Sequence, residues 1–350
     1  MNQDRRYSGG RTLQLRVENP EWSGCDAFLI LRAMQYAAEF HQVTECLLSC
    51  PKPPVQVLKA WKLSLDRKKR VLNIRDSCTM EECPKFSAPD YPMLLDGQEI
   101  LKLGIPDIPG LTDFHVHTEL AYCSENMAVE RALELEWASG VKLVNFAEHS
   151  GQLYCTPEIY WNNRFIWSKR DSVACRMQRY RELARNSAGM GRTFGLELDV
   201  DEEGHVSDVP GMSGWRIGAI HFLGEKLSYE EKKTDFMRRL DALLNSRIDI
   251  LAHPFRVFPK SGLPVPEELF ELVAEKLVRA HVAAEINFHA NRPQPEFVRL
   301  VLKKGGKISF GTDSHNLYEA GFLKPHYEFC RQLDIAGRLD EILLNGKRGK

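Results

Sequence analysis

From Leu111 onward, short apolar runs alternate with stretches whose apolar residues recur every three or four positions. Period-two or continuous apolar runs predict strands over 111–117, 141–148, 192–199, 215–222, 248–254, 282–288 and 307–313. The 3.6-residue period predicts helices over 127–139, 171–188, 228–245, 266–280 and 295–304, with more helix after 316. Gly140, Gly191 and Gly305-Gly306 fall at the passages from helix to strand, where a left-handed cap is expected. Strands and helices that alternate with short connections imply parallel strands and right-handed crossovers. Seven such strands in about 240 residues predict an α/β fold, a (β/α)7 TIM-like barrel one unit short of eight. No Gly-x-Gly-x-x-Gly follows any of the strands, which argues against a dinucleotide-binding sheet.

The first hundred residues read differently. Residues 1 to about 12 are polar and read as frayed. A helix is predicted from Cys25 to about Leu48, capped by Ser23 or Asp26 and stopped by Pro51, Pro53 and Pro54. A second is predicted from Val55 to about Lys69, ending in the basic cluster Asp66-Arg-Lys-Lys-Arg70, which reads as a solvated helix end. Residues from Cys83 to Pro109 hold several prolines and the turn pairs Asp96-Gly97 and Pro109-Gly110, and read as a connector. The division is therefore a small, mainly helical region over 1–106 and the barrel over 107–350.

Composition sets limits on function. Apolar residues make up 43% and charged ones 27% of 350, as expected of a globular protein with a full core. A net charge of -1 gives no reason to expect a nucleic-acid partner. The polar N-terminus has no signal-peptide pattern, and no uncharged apolar run approaches the ~20 residues of a membrane span. Nine scattered cysteines, outside the usual zinc spacings, fit free thiols in the cytoplasm.

The chemistry lies at the strand ends, where barrels carry their active sites. In chain order these ends hold His115 and His117, Glu148-His149, Glu197, His221, His253 with Arg256, Glu285-Ile-Asn287-Phe-His289 with Arg292, and Asp313-Ser-His315. Seven of the eleven histidines fall there. Core histidines satisfied one at a time would be scattered; this set reads as a metal centre. The arginines suit phosphate, because a guanidinium fork pairs with its oxygens and stays charged. Both are expected to overhang the barrel mouth. His41, His205, His281 and His326 read as ordinary residues. The loop Ser150–Lys169, rich in aromatics, reads as a lid or specificity loop.

In order and spacing, His115-Val-His117, Glu148-His149, Gly195-Leu-Glu197, His221, His253-Pro254 and Asp313-Ser-His315 resemble the PHP (polymerase and histidinol phosphatase) superfamily. The segment Glu285 to Arg292 and the stretch Gly-Ala-Ile-His221-Phe resemble its histidinol-phosphatase branch. The resemblance covers about residues 107 to 320. It implies a distorted seven-stranded barrel and two to three divalent ions, zinc, manganese or iron. One ion would take His115, His117, Glu197 and Asp313; a second Glu197, His221 and His253; a third His149, His315 and a loop residue. For that last ligand the family commonly has Asp or His, whereas this chain offers Cys123. The implied reaction is hydrolysis of a small phosphomonoester, histidinol phosphate being the nearest candidate, by attack of a metal-bridging hydroxide. Asp313, His221, Arg256 and Arg292 would surround the reacting phosphate, and Asn287 and His289 would line its pocket. A phosphodiesterase or nuclease, an amidohydrolase acting on C–N bonds and a non-catalytic metal-stabilised binding module are the alternatives. Oligomeric state is not legible.

Overall fold

The structure is a computed structural model and describes residues 11–16, 43–49, 71–74, 93–95, 99–101, 104–124, 127–163, 174–209, 211–317 and 319–344. The chain divides into two compact units, Met1–Pro106 and Asp107–Lys350. In the first, β1 (Arg11–Arg16), β2 (Val43–Ser49), β3 (Val71–Ile74), β4 (Met93–Leu95) and β5 (Glu99–Leu101) form one sheet, in the order β3-β2-β1-β4-β5. The first three strands are parallel, and β4 and β5 run antiparallel to their neighbours.

This sheet corrects the expected helical region in three places. Val43–Leu48, the end of the predicted first helix, is strand, and its Val-Thr start favours a pleat over a helix. The predicted connector contains β4 and β5, which flank Asp96-Gly97, a pair suited to a hairpin turn. The stretch read as frayed already includes the start of β1. The rest of the first helix and the whole of Val55–Lys69 lie outside the described residues.

The second unit is a seven-stranded, all-parallel sheet nearly closed into a barrel. Its strands are β6 (Thr112–Val116), β7 (Leu143–His149), β8 (Arg192–Asp199), β9 (Arg216–Ala219), β10 (Ile250–Leu251), β11 (Ala283–Ile286) and β12 (Ile308–Phe310). They neighbour one another in sequence order, as repeated right-handed crossovers require. Helices between them cover the outside. Val129–Ala138, Ala174–Asn186, Tyr229–Asn245, Phe270–Arg279 and Pro295–Lys303 lie within or against the predicted spans. Gly140 and Gly305 adopt φ of +91° and +82° at the helix ends, where a side chain would be strained. The Ser150–Lys169 loop is more ordered than expected: Ser150–Tyr154 and Pro157–Asn163 are helical, and 164–173 lie outside the described residues.

Phe114, Trp215, Ile217 and Ile250 fill the interior beside four alanines, Ala147, Ala219, Ala252 and Ala283. The small side chains leave room for a ring of imidazoles at the upper end. On a regular strand Phe114 and His115 would face opposite ways. The pairing of β6 with β7 shifts register between Asp113 and Val116, and this lets Phe114 join the core while His115 and His117 also turn inward.

The barrel closes between β6 and the chain after β12. The Asp313 amide donates to the His115 carbonyl (2.7 Å), and the His117 amide donates to that of Ser314 (3.2 Å). Below them, Asp113 accepts from the amides of His115 and Thr312 and from the Thr312 hydroxyl (2.6 Å).

Candidate metal centre

The strand ends bring His115, His117, His149, Glu197, His221, His253, Asp313 and His315 into one buried cluster. Glu197 lies at its middle. One carboxylate oxygen, Oε2, is 3.5 Å from His115 Nε2 and 3.7 Å from His117 Nε2. Asp313 Oδ1 completes that side, 3.6 Å from His115 Nε2 and 3.0 Å from His117 Nε2. The other oxygen, Oε1, is 3.1 Å from His221 Nε2 and 3.0 Å from His253 Nε2. Most of the first set are long for hydrogen bonds. Ligand atoms held tetrahedrally at ~2.1 Å from one ion stand about 3.4 Å apart, close to the spacing seen here.

Unused polar atoms point the same way. His115 Nε2, His117 Nδ1, His149 Nδ1, Glu197 Oε2 and His221 Nε2 are buried without a well-directed hydrogen bond, although His149 Nδ1 lies 2.5 Å from Glu197 Oε2 and His221 Nε2 3.1 Å from Glu197 Oε1. Orphaned buried groups are costly, and so many around one point need a common partner. Charge is equally concentrated. Burial works to raise the Glu197 pKa, yet His149, His221 and His115 outweigh it and hold the carboxyl well below its ordinary value. Burial likewise opposes ionisation of Asp313, and His115 and Arg256 reverse it. Burial pushes His149, His253 and His315 down, toward the neutral imidazole that ligates metals. His115 and His117 go the other way: their acidic neighbours overcome burial and raise both, His117 to about 9. A cation arriving here would displace those protons.

The imidazoles are aimed by carboxylates that sequence reasoning left unassigned. Glu285 Oε1 bonds His115 Nδ1 (2.8 Å), while its Oε2 accepts the His253 amide (2.7 Å). Asp199 Oδ1 bonds His221 Nδ1 (2.7 Å), and Glu148 Oε1 lies 3.6 Å from His117 Nδ1. Each bonded Nδ1 leaves Nε2 facing the cluster, the arrangement that fixes a ligating tautomer. Asp199 stands two residues past Glu197 on the same strand face, so the period of two could have found it. For Glu285 and Glu148 the sequence could not separate ligand from support. Gly311 is a further hidden requirement: a Cβ there would lie 2.0 Å from Glu285 Oε1 and 2.7 Å from His115 Cβ.

The chain matches no family model and no curated protein.

Two ligand candidates sit on strained backbone. His253 has φ of +29° and Asp313 of +53°, a region that costs non-glycine residues about 1–3 kcal/mol. The stretch after His253 is clamped from outside, because Phe255, itself at φ +68°, packs its ring 5.0 Å from Phe297 and 4.9 Å from Phe270. Strain held in place by packing aims both side chains inward.

Placement of the remaining predicted residues is mixed. His149 and His315 come together with His117 as a further ligand group. Cys123 Sγ lies 3.4 Å from His149 Nε2, and burial pushes its thiol pKa up. Arg256 does not overhang the mouth. It is buried, donates to Asp313 Oδ2 (2.6 Å) and the His289 carbonyl (3.1 Å), and its Nη2 meets His253 Nε2 at 2.6 Å. The sequence could show that it follows His253, but not that the bend at Phe255 turns it inward. Arg292 is exposed beyond β11. Asn287 is buried and donates to Glu285 and Asp313, so it supports the ligands. His289 is half-buried, stacks on His315 (4.7 Å) and pairs with Glu319 (3.3 Å). His326, read as ordinary, is buried with Nε2 3.0 Å from the Gly311 carbonyl.

Proposed function

We propose that this protein is a metal-dependent phosphoesterase of the PHP kind, acting on a small phosphomonoester. The observation that carries the reading is Glu197, whose two oxygens face two separate histidine sets, as a carboxylate bridging two ions would. His115, His117 and Asp313 would hold one ion and His221 and His253 the other; His149, His315 and Cys123 are the candidates for a third. When bound, the ions would acidify a water and offset the charge that builds on a phosphoryl group in flight.

The chain's own residues have distinct tasks in this reading. Glu285 and Asp199 hold His115 and His221 in the ligating tautomer. His253 Nε2 cannot both accept from Arg256 and ligate, so Arg256 gives up that bond and offers the freed nitrogen to a phosphate oxygen while still tied to Asp313. Arg292, on the exposed side, meets the substrate as it approaches. The buried walls keep bulk water from the reacting centre.

The test is phosphate release from p-nitrophenyl phosphate, histidinol phosphate and bis-p-nitrophenyl phosphate, on protein with assayed metal. Monoester turnover, lost on chelation and in Asp313→Ala, is expected. Turnover of the diester alone would move the reading to a phosphodiesterase. Two or more bound ions with no phosphate released from any substrate would overturn it and direct the search to C–N bonds.

A further inference from the structure

Lys260 ends the short helix Val257–Lys260, one turn beyond Arg256, and residues four apart on a helix share a face. Arg256 is buried and Lys260 is an exposed residue, so the two cations form a ladder leading out of the cluster. The inner rung is neutralised by Asp313. The outer rung is not: among the described residues Lys260 Nζ has no hydrogen bond and no ion pair, and it lies over the Phe222 ring, 5.8 Å from its centroid. Phe222 directly follows His221, so this contact places the ammonium at the rim of the candidate metal centre. Crowding and then the Arg256 charge lower its pKa, while Asp313, Glu197 and Cys123 act in the other direction. Metal ions arriving in the cluster would add repulsion, and an anion on Lys260 would relieve it.

We infer that Lys260 and Phe222 form a subsite for a second anionic group of the substrate, so that the preferred phosphomonoesters carry a carboxylate or another phosphate beside the scissile one. The inference rests on the phosphoesterase reading. It narrows the substrate class to small bis-anions, in which Arg256 takes the reacting phosphate and Lys260 the second group.

The experiment compares glycerol 3-phosphate, 3-phosphoglycerate and fructose 1,6-bisphosphate on metal-loaded full-length protein. Wild type is expected to favour at least one bis-anion by about tenfold in kcat/KM, the scale of one charge-assisted contact. The preference should shrink to about threefold or less in Lys260→Gln and survive in Lys260→Arg. The carboxylate and bisphosphate arms show which anion the subsite takes. A wild-type ratio near one, or a ratio unchanged in Lys260→Gln, overturns the subsite. If none of the three is hydrolysed, turnover of p-nitrophenyl phosphate decides the phosphoesterase reading separately, and the same ranking measured as Kd by calorimetry decides whether Lys260 selects bis-anions.

Discussion

A methyl group at position 311 is expected to damage the candidate metal centre without touching a candidate ligand atom. Its carbon would sit 2.0 Å from Glu285 Oε1, where at least ~3 Å is needed, so the carboxylate must retreat by about 1 Å or the backbone must move. The backbone is held: the Gly311 amide donates to the Ile286 carbonyl (3.3 Å), and the Gly311 carbonyl meets buried His326 (3.0 Å). Glu285 is the part that yields, and with it go its bonds to His115 Nδ1 and to the His253 amide. Hydrogen bonds to a charged group contribute ~1.5–3 kcal/mol each, so losing both in Gly311→Ala should destabilise the metal-free protein by about 3–6 kcal/mol. Losing the carboxylate behind a ligating histidine should lower metal affinity by about 10–100-fold. With zinc present the destabilisation should grow by a further ~1.4–2.7 kcal/mol, since weaker binding adds less stability. Urea denaturation with and without zinc, together with competition against a chelating dye, measures all three quantities. A loss below about 1 kcal/mol with affinity within about threefold of wild type would refute the reasoning, because the centre would then tolerate movement of its supporting carboxylate.

The same logic applies across the barrel. Asp199→Asn keeps the size of the group behind His221 but removes its charge, and should weaken metal binding by about 10–100-fold in the dye assay; unchanged affinity would show that Asp199 does not orient the ligand. The pH dependence follows from His117, whose pKa rises from 6.5 to about 9 in the metal-free fold. A pKa raised by folding gives stability that is fully present below the unfolded value and lost as pH climbs through the folded one. Metal-free protein should therefore lose on the order of 3 kcal/mol between pH 6 and pH 10, as read by urea denaturation in chelator. Metal binding at pH 7 should conversely release protons, seen by calorimetry in buffers of different ionisation enthalpy; heats that do not vary with the buffer would contradict the protonated His117.

How far the sequence reached depended on what each residue's role required. The strand-end cluster was legible because a parallel barrel collects strand C-termini in one place, so listing those ends amounts to listing the candidate ligands. His115 and His117 also carried a local signal, their spacing of two. Glu285 was visible at a strand end, but its role depends on how closely β11 approaches β6 across the barrel, which Gly311 controls and no local pattern reveals. Arg256 was read as a rim residue but is buried against Asp313, since its direction follows from the left-handed turn at Phe255. In the first unit, Val43–Leu48 satisfied a helical period by chance. Partners distant in sequence decided it, because β2 pairs with both β1 and β3.

The way the barrel closes has a consequence for the chain as a polymer. The seam joins the first and last strands of the unit, and two candidate ligands of one ion, His117 and Asp313, lie 196 residues apart across it. An ion shared by them acts as a removable cross-link around nearly the whole barrel. By the entropy of closing so long a loop, such a link restricts the unfolded chain by about 5 kcal/mol, as much as a well-placed disulfide. The clasp is complete only once the last strand end has been made, so the barrel cannot be locked by metal before all seven of its strands exist. Fold completion and readiness for chemistry would then be a single event.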